Sequence, residues 1–534
     1  MALLSLSCKP QTNSTERVEK IIKQMSLEEK IEFIGGYHSF NIRSFVKYGI
    51  PEIRMSDGPV GVRNYGPSTA YPASINLAAS WDTSIARKVG QAIGMEAKAK
   101  KVNIMLGPAM NIYRAPYCGR NFEYLGEDPF LAGELAASYV TGMQSEGIVA
   151  TAKHFAANNQ EYDRNNVSSD MDERTLREIY LPAFKACVEK GHIGAVMTSY
   201  NLINGIHASQ NDLLINKILK QEWGFKGVVM SDWVSTYDGV ACANGGLDLE
   251  MPSGKFMNPD TLIPAIKAGK VSEKTIDDKI RRILMLYEKF GFFNVVDNNK
   301  NFTIDKNFIR SISLDAARGG ITLLKNRNNI LPLSNEKSLK IAVVGINANP
   351  AITGGGGSSY VDPEFPVSLK EAIEKIAGKN VEVNYAKGMY VEGKLPKDYF
   401  KNQQFYTYAG NQKIKGISAE FFNNTELQGN PIFSKVFDQL DITFDDSSFS
   451  KLPENNFSAR FAGYFKVPKS GNYRFVIAGD DGYRLFINDK KVIDYWFNQP
   501  ETFRNCEIIL DKATENKVVV ELGQKEMKTC SNYL

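Results

Sequence analysis

The sequence predicts an α/β chain: a (β/α)8 TIM-like barrel, then a second α/β unit, then an all-β module. Three observations carry this. Five apolar runs in the first 300 residues each end in polar residues and give way to a helical pattern. They are "EIRMSDG" near Ile53, "VNIMLGPAMNIYR" from Val102, "GIVATAKHF" from Ile148, "GAVMTSYN" from Ala195 and "GVVMSDW" from Val228. Their spacing of roughly 35 to 50 residues is that of βα units around a parallel sheet. A polar, Asn-rich stretch near residues 292–302 then precedes "LKIAVVG", "SLKEAIEKIAGK" and "VEVNYAKG", a strand, a helix and a strand. From about residue 410, "ARFAGYFKV", "GNYRFVIAGDDGYRLFIND" and "ENKVVVEL" alternate apolar with polar residues, as antiparallel strands with one buried face do.

Each barrel element has its own reason. The intervening segments Pro129–Glu146 and Glu173–Glu189 repeat apolar residues at helical spacing. In the second unit "TGGGGSSYV" (353–361) lacks the Gly-Lys-Ser/Thr ending of a phosphate loop and no strand leads into it, so it reads as a loop facing the neighbouring pocket. The closing "GQKEMKTCSNYL" carries no strand or helix pattern.

At 534 residues the chain exceeds the roughly 250 to 300 residues that one core supports. A formal charge of +4, from 64 basic and 60 acidic residues, is small and forms no basic stripe, which argues against a nucleic-acid partner. The six cysteines show neither CxxC pairs nor His-rich spacing, so neither zinc nor a disulfide framework is expected. No run of 18 apolar residues is present to span a membrane. The opening "MALLSLSCKPQTNSTE" is similar to the end of a lipoprotein signal, though it lacks a basic leader. Export to the periplasm or beyond is the expectation, with Cys8 a lipid attachment point and a cytoplasmic location the alternative.

Chemistry in such barrels collects at the C-terminal strand ends. Those ends here are Asp57, Arg114 and Arg120 in one following loop, Lys153 with His154, Tyr200 with Asn201, and Asp232 with Trp233. A sugar ring needs carboxylates and cations for its hydroxyls and an aromatic platform for its apolar face. Asp57, Arg120, Lys153, His154 and Trp233 form such a set, and Asp232 suits a nucleophile attacking an anomeric carbon. Taken singly, each has a plainer reading: a strand-end Asp is commonly a helix cap, an exposed charge pair is commonly solvated, and a Trp commonly packs. Their arrival at the same end of successive strands favours a site.

The motifs "MSLEEKIEFIGG", "RMSDGPVGVR", "GRNFEYLGEDP", "GIVATAKHFAANNQE", "MTSYNLING" and "WGFKGVVMSDW" resemble, in order, those of the barrel of glycoside hydrolase family 3. "DAARGGITLLKN" and the Gly-rich segment resemble the start of that family's α/β sandwich, and the region from about 410 resembles the protective-antigen type domain inserted in some of its β-glucosidases. The resemblance implies a possible leader or tether at 1–15, a barrel at 16–295, a partial α/β sandwich at 296–395 and an incomplete protective-antigen type domain at 410–534. It implies a retaining β-glucosidase acting on terminal non-reducing β-D-glucosyl residues through a covalent glycosyl-aspartate. Asp232 becomes the nucleophile, and Asp57, Arg120, Lys153, His154, Arg164, Tyr200 and Trp233 become ligands of the sugar. β-Glucosides or short oligosaccharides are the implied ligands, with no metal or organic cofactor. The alternatives are a β-xylosidase or broader β-glycosidase, and a sugar-binding protein impaired in catalysis. The branch with a His-Asp dyad is disfavoured, because no further histidine follows His154 before His192. The acid/base glutamate of that family is expected beyond Leu534. Asp480 and Asp481 resemble the calcium pair of lectin-like relatives of the β module, a reading the sequence leaves open, as it does the oligomeric state.

Overall fold

The computed structural model describes residues 12–294, 304–334, 336–388, 405–438, 440–443, 449, 452–453, 456–479, 481–497, 502–524 and 531–533. The chain divides into two compact units, one of Met1–Leu339 with Pro350–Glu382 and one of Lys340–Asn349 with Val383–Leu534.

In the first unit the strands are β1 (Asn41–Ile42), β2 (Ile53–Asp57), β3 (Ile104–Leu106), β4 (Val149–Phe155), β5 (Ser168–Ser169), β6 (Ala195–Thr198), β7 (Leu202–Ile203), β8 (Ile206–His207) and β9 (Val228–Met230). The main sheet runs β1-β2-β3-β4-β6-β9, with β1 antiparallel to β2 and every later neighbour parallel. Parallel bridges from Met230 to Leu249 and from Glu250 to Gly35 carry the curve onward. This is the TIM-like barrel. All residues of β3, β4, β6 and β9 are buried, because a parallel sheet is covered on both faces; that is why these strands read as unbroken apolar runs.

The surrounding helices follow local rules. Asp128 caps Pro129–Gln144 by accepting from the Phe130 and Leu131 amides, and Pro129 occupies the first turn, where no amide donor is needed. This helix crosses Thr83–Ala99 at a close approach, where a Cβ on Gly142 would lie 1.9 Å from the Arg87 carbonyl oxygen. Any side chain there would force the helices apart. The segment expected as one helix over Glu173–Glu189 is instead three pieces: Glu173–Thr175, a π-wound Leu176–Tyr180, and Pro182–Glu189. Pro182 has no amide hydrogen for the preceding turn, so the ladder is rewound ahead of it. β5, β7 and β8 form a separate small sheet that the sequence pattern did not signal.

Beyond the barrel, β10 (Leu339–Val344) and β11 (Val381–Ala386) pair in a two-stranded sheet. The second unit carries β12 (Tyr406–Ala409), β13 (Gln412–Lys415), β14 (Ile417–Phe422), β15 (Phe433–Phe437), β16 (Asp441–Thr443), β17 (Phe457–Phe465), β18 (Gly471–Gly479), β19 (Gly482–Ile487), β20 (Lys490–Tyr495), β21 (Thr502–Leu510), β22 (Asn516–Gln524) and β23 (Ser531–Tyr533). One sheet follows β13-β12-β17-β22-β19-β20, with β14 on β17 and β15 on β14; the other is β16-β23-β18-β21. Phe421, Phe457, Phe461, Tyr483, Leu485 and Val518 fill its core. β23 corrects the reading of the closing segment as patternless: three residues pair with β16 and β18, too few to show an alternation. Asp480 and Cys8 lie outside the described residues, and buried Asp481 accepts a hydrogen bond from Gln524 at 3.2 Å. Among the described residues, no group of His, Cys, Asp or Glu is arranged to hold a metal ion, and no helix is long and apolar enough to cross a membrane.

Candidate active site

Asp57 ends β2, and the turn after it needs glycine: Gly58 has φ +130°, and a Cβ there would stand 1.6 Å from the Gly61 carbonyl oxygen. The Asp57 carboxylate accepts from Lys153 Nζ at 3.0 Å and has Arg63 at 3.5 Å. Lys153 comes from β4, two strands away, and its side chain is 2% exposed. A buried ammonium persists when an ion pair offsets its desolvation, and Asp57 supplies that pair.

His154 follows on the same strand and is held by Asn111, whose side chain accepts from the His154 amide at 2.9 Å and donates to its carbonyl at 2.8 Å. Its Nδ1 lies 3.4 Å from the Tyr124 hydroxyl, and its Nε2 lies 3.5 Å from Asp232 Oδ2. Burial, reinforced by Arg120 and Lys153, pushes its pKa well below the ordinary histidine range, so the ring is neutral. Nδ1 also lies 3.3 Å from Asn111 Oδ1.

Asp232 stands two residues past β9. Its Oδ1 accepts from the Tyr200 hydroxyl at 3.1 Å and from the Trp233 backbone amide at 2.7 Å. Its Oδ2 is buried and makes no hydrogen bond with the described residues, and neither does the buried indole Nε1 of Trp233. One carboxylate oxygen is thus held by two donors while the other is held by none among the described residues. The Trp233 ring packs on Phe40 at 4.9 Å. Val234, next in line, has φ +63°, a region a β-branched residue seldom enters and one that clusters at functional sites.

Two arginines complete the cup. Arg120 pairs with Glu123 and donates to Ser358 Oγ at 3.1 Å, which brings the Gly-rich loop against the site. The Arg164 guanidinium lies 3.8 Å from the centre of the Tyr200 ring and pairs with Glu161 at 2.5 Å. Burial raises the Asp232 pKa above the ordinary aspartate range, while Arg120, Lys153 and Arg164 pull against that rise. Removing one of these cations lets burial act with less opposition. Arg164→Met is therefore expected to raise the Asp232 pKa further, and an NMR titration of that carboxyl checks the direction.

Contacts thus join Asp57 to Lys153, His154, Tyr200 and Trp233 to Asp232, and Arg164 to Tyr200, while Arg120 bears on Asp232 and His154 through its charge. Arg114 is exposed and joins none of them, and the Asn201 amide nitrogen donates to the carbonyls of Ala156 and Leu202. Sequence reasoning did not single out Arg63, Asn111, Glu123, Tyr124 or Ser358. All five lie inside quoted stretches, but no periodicity or charge pattern sets them apart.

Residues 16–286 match the Glycosyl hydrolase family 3 N terminal domain. The chain belongs to glycosyl hydrolase family 3. Residues 414–527 match the PA14 domain. Similar family members include a Beta-glucosidase of Rhizobium radiobacter, 33% identical over 94% of this chain and 62% of that protein. Beta-glucosidase B of Emericella nidulans is 35% identical over 91% of this chain and 57% of its own length. Among solved structures, a beta-glucosidase from Kluyveromyces marxianus in complex with glucose aligns with a TM-score of 0.75 at 29% identity, covering 96% of this chain and 64% of that one. The chain thus spans about three fifths of the length of these family members.

Proposed function

We propose that the cup binds a terminal β-D-glucosyl residue and that Asp232 attacks its anomeric carbon, making the chain the glycone-binding and nucleophilic part of a retaining β-glucosidase. The carrying observation is the Asp232 carboxylate, held through Oδ1 and without a hydrogen bond from the described residues at Oδ2. In the first step the bond from Oδ2 to the anomeric carbon forms as the glycosidic bond breaks, with its electron pair leaving on the aglycone oxygen. Water later displaces the aspartate. Tyr200 and the Trp233 amide hold the carboxylate in line, neutral His154 adds no charge of its own, and Asp57, Lys153 and Arg120 offer acceptors and donors for hydroxyls. The names of the similar proteins, and the glucose in one of them, agree with this reading.

The departing oxygen needs a proton unless it leaves as a stable anion. Of the other carboxylates in this network, Asp57 is held by Lys153, Glu123 by Arg120 and Glu161 by Arg164. Each is already engaged as the acceptor of an ion pair. Loss of general-acid assistance costs on the order of 10² to 10⁴ in rate. The chain is therefore expected to release dinitrophenol from dinitrophenyl β-glucoside readily and to cleave cellobiose slowly. Equal rates on the two would contradict this assignment. The same inventory favours a second reading, a sugar-binding protein with impaired turnover, which calorimetric glucose binding without release of dinitrophenol would support.

A further inference from the structure

Away from the Asp232 cup, a cavity of about 650 Å³ opens beside the helices Leu213–Glu222, Gly239–Gly245 and Glu273–Phe290. Arg282 on its wall donates to the carbonyls of Phe225 and Gly227, at 3.0 and 3.1 Å, which precede β9; Asp232 follows β9. The cavity therefore belongs to the opposite end of that strand. Five cations line it, Lys220, Lys226, Lys279, Arg281 and Arg282, against two carboxylates, Asp248 and Asp278.

The pairings use up both carboxylates. Lys220 binds Asp248 at 2.7 Å, and Arg281 is shared between Asp278 and Glu19. Lys226, Lys279 and Arg282 have no carboxylate partner among the described residues. Lys279 is 3% exposed, and its ammonium donates only to the carbonyls of Ala243 at 2.8 Å and Leu247 at 2.6 Å. An ammonium carries three donors, so one remains. Burial pushes this group down to about 7; Asp248 and Cys242 favour its charge, and Lys220 and Arg282 oppose it. Buried Lys279 with an unused donor, beside exposed Lys226 and half-exposed Arg282 that have no carboxylate partner among the described residues, suits an oxyanion.

We propose that this cavity binds a small phosphomonoester, its phosphate seated by Lys279, Lys226 and Arg282. The volume is within the range of small-molecule sites and exceeds what a bare phosphate fills. Asn216, Asn244 and Thr275 on the same wall supply polar groups for a hydroxylated remainder.

Calorimetry on the full chain tests this with glycerol phosphate, inorganic phosphate and glycerol as probes. Glycerol phosphate is expected to bind once per chain and more tightly than inorganic phosphate, with glycerol giving no saturable heat. Lys226→Glu, at an exposed position, and Arg282→Gln are each expected to weaken it about tenfold or more, the worth of one charged hydrogen bond. Lys226→Glu should leave turnover of an aryl glucoside unchanged. Sulfate, whose charge is constant between about pH 6 and about pH 8, should bind more weakly as pH rises, because Lys279 loses its proton across that interval. Absence of saturable binding, or binding unaltered in both variants, would overturn the site. Inorganic phosphate binding as tightly as glycerol phosphate would overturn the phosphomonoester.

Discussion

Asp232→Ala is expected to lose on the order of 10⁴-fold or more in kcat on an aryl β-glucoside, the scale of removing a covalent nucleophile. The fold should survive, because burial disfavours this carboxylate and its partners are a phenol and one amide. An unchanged thermal transition alongside lost turnover separates a chemical role from a structural one. Azide should restore part of the rate by attacking the face that the side chain vacates, and the product should be the α-glucosyl azide. Residual activity within tenfold of the parent would remove Asp232 from the mechanism.

The second large effect belongs to Asp57→Ala. Asp57 is the carboxylate that offsets the buried Lys153 ammonium, so truncation strands that charge, at a cost of about 3 kcal/mol in stability. It also removes the acceptor proposed for glucose hydroxyls. Two charge-assisted hydrogen bonds at roughly 1.5 to 3 kcal/mol each correspond to a loss of about 10² to 10⁴ in kcat/KM. Asp57→Asn keeps the shape, accepts one hydrogen bond and carries no charge, so it should fall between parent and alanine variant in both stability and kcat/KM. An Asp57→Ala variant with parental kcat/KM on an aryl glucoside would show that the carboxylate serves the fold alone.

Much of this was legible in the sequence because of how parallel sheets are built. β3, β4, β6 and β9 are wholly buried and β2 nearly so, so they stand out as apolar runs, and the polar residues at or just beyond their C-terminal ends mark the candidate site. Asp57, Lys153, His154, Tyr200 and Asp232 were found that way. Groups that arrive by tertiary folding were not. Ser358 reaches Arg120 across 238 positions, and Tyr124 reaches His154 from a loop without regular pattern. Trp233 was read as an aromatic platform, yet its backbone amide is also the shortest hydrogen bond to Asp232, a role no side-chain identity can signal. Lys279 was invisible for another reason: a lysine amid the apolar stripe of Glu273–Phe290 reads as solvent-facing until packing places it inside.

The most direct measurement uses dinitrophenyl 2-deoxy-2-fluoro-β-glucoside, whose fluorine slows formation and breakdown of a glycosyl ester while the good leaving group favours its formation. After incubation and proteolysis, mass spectrometry should find one fluoroglucosyl unit on the peptide containing Asp232, and fragmentation should place it on that side chain. A label on Asp57, Glu123 or Glu161, or glucose released from dinitrophenyl glucoside with inverted configuration and no label anywhere, would contradict nucleophilic attack by Asp232.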